Sequence, residues 1–229
     1  MNWIQVQTFA QGPHTYVGIE VFLPQKPASG ERYPLLMLLH DHGEDRTQWI
    51  RQARLERYAS REGVALALID GNQSCFVNSV TGYAWGDYLT KELPEKLAGW
   101  FPISERAEDH WVMGVGTGGY GALMAAQNAP DCFAGAAAVN PVLDVSCLYG
   151  TDYEPNPGYI FGEKESLEEK GYALTGRFQV PVRIYCDQEH LESARKWAEK
   201  GQQVKVEALK TEDLLEEAFG AYVRGGREA

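Results

Sequence analysis

Cysteine is scarce and scattered: the 229 residues hold four, Cys75, Cys132, Cys147 and Cys186. None forms a C-x-x-C pair, which argues against a zinc site or a redox dithiol and leaves ordinary reduced thiols. Basic charge is also short, with 21 Lys and Arg against 32 Asp and Glu and a net charge of −11. Without a basic cluster, the electrostatic footprint of a nucleic-acid binder is missing. Long apolar runs are lacking too. Pro34–Leu39 and Val64–Ile69 fall far short of the ~20 residues a membrane helix needs, so no membrane partner is expected. The opening Met1-Asn2-Trp3-Ile4-Gln5-Val6 has no basic n-region and no long h-region, so a cytoplasmic location is expected. No repeat, low-complexity stretch or linker divides the chain, and its length fits one domain over residues 1–229.

What is present is enough to fold. Apolar residues make up 44% and aromatic residues 11% of the chain, so burial can offset the ordering entropy that keeps poorer sequences disordered. Alternating patterns on either side of Gln11-Gly12-Pro13 predict an N-terminal β-hairpin. After it, apolar runs alternate with helical periods. Strands are expected at Leu35–Leu39, Val64–Ile69, Trp111–Val115, Phe133–Val139, Val182–Cys186 and Val204–Leu209. Helices are expected at Thr47–Arg61, Asp87–Phe101, Thr117–Ala129, Gln188–Lys200 and Thr211–Val223. Ala122, Ala125, Ala126 and Ala129 fall at i, i+3, i+4 and i+7, and Pro94 should kink the helix that contains it. Strands apolar on both faces, each followed by a helix, predict an α/β fold with a doubly wound, mostly parallel sheet. Residues 71–86 and 141–177 break the alternation. As long loops they are candidate walls of a pocket.

The segment Trp111-Val112-Met113-Gly114-Val115-Gly116-Thr117-Gly118-Gly119-Tyr120-Gly121-Ala122 runs from a strand through a glycine-rich turn into a helix. This is the setting of the nucleophile elbow, G-x-S-x-G. Here the register is Gly114-x-Gly116-x-Gly118, and glycine stands at the serine position. The spacing also matches G-x-G-x-x-G of dinucleotide sites, but it lies mid-chain, and the acidic residue expected ~20 positions on could only be Asp131, which precedes the next strand. No Gly-Lys-Ser/Thr follows to make a phosphate loop. No cofactor is expected.

The chain resembles the small α/β-hydrolase-fold esterases grouped with tributyrin esterase and S-formylglutathione hydrolase (esterase D). The resemblance is carried by Leu38-Leu39-His40-x-x-Gly43 with Trp49, Leu55-Glu56-Arg57-Tyr58-Ala59, Asp70-Gly71, Gly82-Tyr83, Glu92-Leu93-Pro94, Gly118-Gly119-Tyr120-Gly121-Ala122 and Phe161-Gly162. It runs co-linearly from about Val6 to Arg177. It implies an α/β-hydrolase fold with a pocket above Gly116, under the insertions 71–86 and 141–177, and a Ser-Asp-His triad in chain order.

Against that pattern the serine maps to Gly116. The acid falls in Cys186-Asp187-Gln188-Glu189-His190, where His190 takes the aligned position and Asp187 or Glu189 lies close by. The base should follow Val204–Leu209, yet Lys210-Thr211-Glu212-Asp213-Leu214 has no histidine, and His190 is the last in the chain. The family's His-Gly turn reads His40-Asp41 here, which sets an acidic side chain beside an oxyanion hole. Losing the nucleophile or the base of such a triad costs on the order of 10⁶ in kcat. The expectation is a catalytically inactive pseudo-hydrolase that binds a small ligand or a protein partner. The alternative is a short-chain carboxylic ester hydrolase with a rearranged site using His42 or His190.

The pocket candidates are therefore His40, Asp41, His42, Thr117, Tyr83, Trp85, Asp187 and His190. Thr117 reads as a helix N-cap, Cys186 as a buried core residue, and Cys75 as a thiol that would need a base to be activated. His40 and His42 share a strand face but need a third ligand to hold a metal, so no metal is expected. Phe76, Tyr83, Trp85, Tyr149, Tyr153 and Tyr159 either line a pocket or bury the two loops.

Overall fold

The computed structural model describes residues 1–26, 32–199 and 201–226. Lys200, where the sequence reading ends a helix, lies outside the described residues. Eight strands, β1 (Asn2–Ala10), β2 (Thr15–Leu23), β3 (Leu35–Leu39), β4 (Ala65–Ile69), β5 (His110–Val115), β6 (Gly135–Val139), β7 (Arg177–Cys186) and β8 (Gln202–Ala208), form one sheet. Its order is β1-β2-β4-β3-β5-β6-β7-β8. The expected hairpin is β1 and β2, antiparallel with Asn2 opposite Leu23 and Ala10 opposite Thr15. From β4 through β3 to β8 every pair is parallel. The α/β-hydrolase arrangement expected from the sequence is the one observed.

Strand alternation sends the two faces to two cores. Leu35, Met37 and Leu39 join the cluster under helices α4 (Leu93–Trp100) and α5 (Gly116–Asn128). Leu36 and Leu38 join Trp49 of α1 (Gln48–Gln52), Tyr58 of α2 (Leu55–Glu62) and Phe219 of α8 (Leu214–Ala221). Arg224 Nε donates to the Gly220 carbonyl at the end of α8, where a cation suits the helix dipole.

Three elements depart from the sequence pattern for physical reasons. The helix expected over Thr47–Arg61 breaks at Ala53, which is extended (φ −143°). One continuous helical period from Trp49 would bring Gln52 and Glu56 inward, whereas the break rephases the chain so that Leu55, Tyr58 and Ala59 face the core. Ahead of Pro94 the helix widens to a π-helical turn at Tyr88–Glu92. Proline lacks an N–H and crowds the carbonyl four residues back, and the wider turn accommodates both. The helix expected over Gln188–Lys200 is shorter, α7 (Leu191–Ala198), because Asp187 to His190 form a turn of their own.

The two insertions are ordered against each other and against α5. Cys75 and Val77 from the first pack with Val145, Tyr153, Ile160, Phe161, Leu167 and Tyr172 from the second, over Tyr120 and Met124 of α5. Within the insertions lie the one-turn helices α3 (Trp85–Asp87) and α6 (Gly158–Phe161).

Candidate active site

The sheet order reverses between β3 and β5, and ligands in open α/β sheets bind above the strand ends at such a point. Gly116 sits there. It follows the last residue of β5 and opens α5 with φ +54°, the left-handed region that costs a residue with a Cβ about 1–3 kcal/mol. Gly114 and Gly118 serve close packing: a Cβ on Gly114 would meet the Gly118 carbonyl, and one on Gly118 would meet the His40 and Leu39 carbonyls. The strand, turn and helix of a nucleophile elbow are all in place.

The position above Gly116 is already filled. A Cβ built on Gly116 would fall on the carboxylate of Asp41. Asp41 Oδ1 accepts from the Thr117 N–H at 2.8 Å, the His42 N–H at 2.7 Å and the Thr117 hydroxyl at 3.2 Å. These two N–H groups, one just past the elbow glycine and one from the turn after β3, are placed as the donors of an oxyanion hole are placed. The α5 N-terminus adds its positive dipole end, which favours an anion there. Thr117 is thus not a free-standing N-cap. The N-cap position is Val115, with no side-chain cap, and Asp41 supplies the missing acceptor from β3's loop.

Asp41 is held from behind. Its N–H donates to Gln48 Oε1 at 2.9 Å, and its carbonyl lies 2.7 Å from His40 Nδ1. The Gly71 N–H donates to His40 Nε2 at 3.0 Å, so Nδ1 carries the proton and donates to Asp41. With both ring nitrogens engaged and the side chain buried, His40 pins the turn and has no lone pair for a metal. Among the described residues no cluster of three metal-ligating side chains exists.

The same architecture recurs in known proteins. The model of the Esterase family, described as "Putative esterase", matches residues 11–215. The chain belongs to that family. An acetyl esterase of Caldicellulosiruptor saccharolyticus is 26% identical over 152 residues, 62% of this chain and 57% of the relative's length. The structure of the fluorophosphonate-binding serine hydrolase FphF of Staphylococcus aureus superposes with a TM-score of 0.86 at 19% identity, covering 100% of this chain and 99% of that one. An S-formylglutathione hydrolase (FrmB), also of Staphylococcus aureus, gives a TM-score of 0.82 at 19% identity, with 97% of each chain covered.

In this esterase-family member the remaining candidates fall into separate groups. The ring of His42 stacks on Tyr153 with centroids 3.9 Å apart, and its Nδ1 is buried with no hydrogen-bond partner. The Tyr153 hydroxyl lies 3.1 Å from Cys75 Sγ. Burial, reinforced by the nearby Asp41 charge, pushes the Cys75 thiol up to about 12 despite that hydrogen bond, so the thiolate that a nucleophile requires is disfavoured. Burial likewise raises the Tyr153 phenol, with Cys75 and Asp41 adding to it.

Asp187 and His190 form the second group, beyond the ends of β6 and β7. Asp187 Oδ1 accepts from the His190 N–H at 3.0 Å and lies 2.8 Å from its Nδ1, while Oδ2 accepts from Asn140 Nδ2 at 2.8 Å. Burial would raise this carboxyl, but the bonds from His190 and Asn140 outweigh it and hold it at about 2. His190 is half-exposed. Among the described residues no hydrogen bond joins it to Gly116, Thr117 or His42. The loop after β8 supplies Thr211 and Asp213, hydrogen-bonded to each other, where the family's base would stand. Between this loop and the α1–α2 break lies a cleft of about 500 Å³ bordered by Val115, Asn140, Arg54 and Asp213.

Tyr83 and Trp85 are at neither group. Trp85 is buried against Tyr88, and Tyr83 is exposed on the outer side of the first insertion. The partners that sequence reasoning passed over are Gln48 and Asn140. Gln48 accepts the Asp41 N–H, and Asn140 donates to the Asp187 carboxylate and accepts the Asp187 N–H, roles with no signature in residue spacing.

Proposed function

We propose that this chain is a non-hydrolytic member of the esterase family, a pseudo-hydrolase that keeps the fold and holds a small ligand at the strand ends. The Asp41 carboxylate on the Gly116 side of the elbow carries this reading. Acyl transfer on such a scaffold needs an oxygen nucleophile at the elbow, a base to take its proton, and N–H donors aimed at the developing oxyanion. Gly116 offers no nucleophile, and both donors are bonded to Asp41. An oxyanion formed there would have to displace a carboxylate of the same charge. The cleft of about 500 Å³ bordered by Val115, Asn140 and Asp213 offers space for such a ligand.

A second reading has its own observation. The Asp187–His190 contact at 2.8 Å orients an imidazole as a general base is oriented, and such a base could direct water at a short acyl ester. Incubation with p-nitrophenyl acetate and butyrate separates the two. The first reading expects release at the buffer rate. Turnover well above that rate, lost in His190→Ala or His42→Ala, would overturn it in favour of the second.

A further inference from the structure

The aromatic residues of the two insertions divide into two sets. Phe76, Trp85 and Tyr153 are buried, whereas Tyr83 is 51% and Tyr159 65% exposed. The two exposed rings border one cleft of about 580 Å³, floored by Trp85, Ile160 and Pro155. Asp41, Gly116 and Thr117 are not among its lining residues. Gln73 links the two regions by accepting the Gly43 N–H through its Oε1 at 3.0 Å, which leaves its amide NH₂ uncommitted.

None of the side chains lining this cleft is charged, although the molecule carries 23% charged residues and a net charge of −11. Besides the tyrosines its polar groups are amides and hydroxyls: Asn72, Gln73, Ser74, Ser79 and Thr81, with the Ser79 and Thr81 hydroxyls hydrogen-bonded to each other at 2.8 Å. Neither tyrosine hydroxyl has a hydrogen-bond partner among the described residues. Behind this lining the 72–76 turn holds Asn72 (φ 50°), Cys75 (φ 53°) and Phe76 (φ 57°) in the left-handed region, and of these only Asn72 borders the cleft. The surroundings hold it rigidly. Ser74 Oγ donates to the Gly71 carbonyl and accepts from the Phe76 N–H, and the Val80 N–H donates across to Ile160. Strain of this kind persists where the fold over-determines a segment, and it concentrates at ligand sites.

We propose that this cleft binds an uncharged oligosaccharide, with sugar rings laid against Tyr83 and Tyr159. A ligand matching such a lining has apolar faces for the rings and a rim of hydroxyls for the amides and hydroxyls. A pyranose has both, and a neutral cleft provides no counter-charge for an anionic or cationic ligand. The assignment is independent of whether the elbow hydrolyses esters, because no group at Gly116 takes part in it.

Titration of the full chain with xylohexaose, cellohexaose and mannohexaose, read by intrinsic tryptophan fluorescence and calorimetry, tests this. Saturable binding of at least one is expected, weakened about tenfold in Tyr159→Ala and in Tyr83→Ala, the loss expected when one stacked ring is removed. Both tyrosines are exposed, so the variants should keep the parent unfolding midpoint. Three results would overturn the proposal: no binding of any of the three at millimolar sugar, binding that both variants leave unchanged, or preferential binding of a charged aromatic acid such as ferulate.

Discussion

The Asp41 carboxylate occupies the place that a side chain at Gly116 would need. Each residue makes sense of the other. Glycine leaves the room, and the carboxylate satisfies two N–H groups that would otherwise point at an empty elbow.

Gly116→Ser is therefore expected to destabilise the fold and to leave esters untouched. The serine would be strained at φ +54° by about 1–3 kcal/mol and would also have to expel Asp41. Combined with Asp41→Ala, the same serine should cost less than the sum of the two single changes, because one clash is removed. Urea unfolding of the four proteins measures this. Strict additivity would mean that the two side chains do not compete.

Asp41→Ala alone leaves the Thr117 and His42 N–H groups without their acceptor, at a cost of about 1–3 kcal/mol. The vacated hole at the α5 N-terminus should then take up acetate or formate. Amide chemical shifts of Thr117 and His42 should respond to acetate in the variant and not in the parent. An equal response in both would show that Asp41 does not fill the hole.

Acid stability should carry a contribution from Asp187. Its folded-state carboxyl, at about 2, lies below the ordinary value of 3.8, so the native state binds the proton less readily than the unfolded chain. The stabilisation is then complete above about pH 4 and is lost as the pH falls towards 2. The side chain is 37% exposed, so solvent screening keeps the effect modest. Asp187→Asn should flatten the acid limb of the urea midpoint between pH 4 and pH 2. An unchanged limb would remove Asp187 from the account.

The thiols should rank by burial. Cys147 is exposed, whereas Cys75 and Cys186 are buried, with burial pushing Cys75 up to about 12 and Cys186 to about 11. Ellman's reagent at pH 7.5 should label Cys147 quickly, and Cys75 only on unfolding. Fast native-state labelling at Cys75, located by peptide mapping, would contradict its inert reading and reopen it as a nucleophile.

The sheet was legible because burial on both faces leaves a mark in one dimension. Leu35–Leu39 is apolar throughout, and the structure buries all five residues. The elbow was legible too, since strand, glycine turn and helix are contiguous and the close packing at Gly114 and Gly118 tolerates only the smallest residue. The break at Ala53 was not, because it answers to the phase of the sheet beneath α1 and α2. Nor could spacing separate Tyr83 and Tyr159 from Trp85, since exposure is decided by how two distant loops pack.

The sequence by itself determined the fold class, the glycine at the turn of the elbow and the lack of any histidine after His190, all of which are local patterns or simple absences. That Asp41 would answer the loss of a side chain at Gly116 was decided only by tertiary structure. The two residues are 75 positions apart, and only the parallel pairing of β3 with β5 sets the turn after one strand against the helix that follows the other.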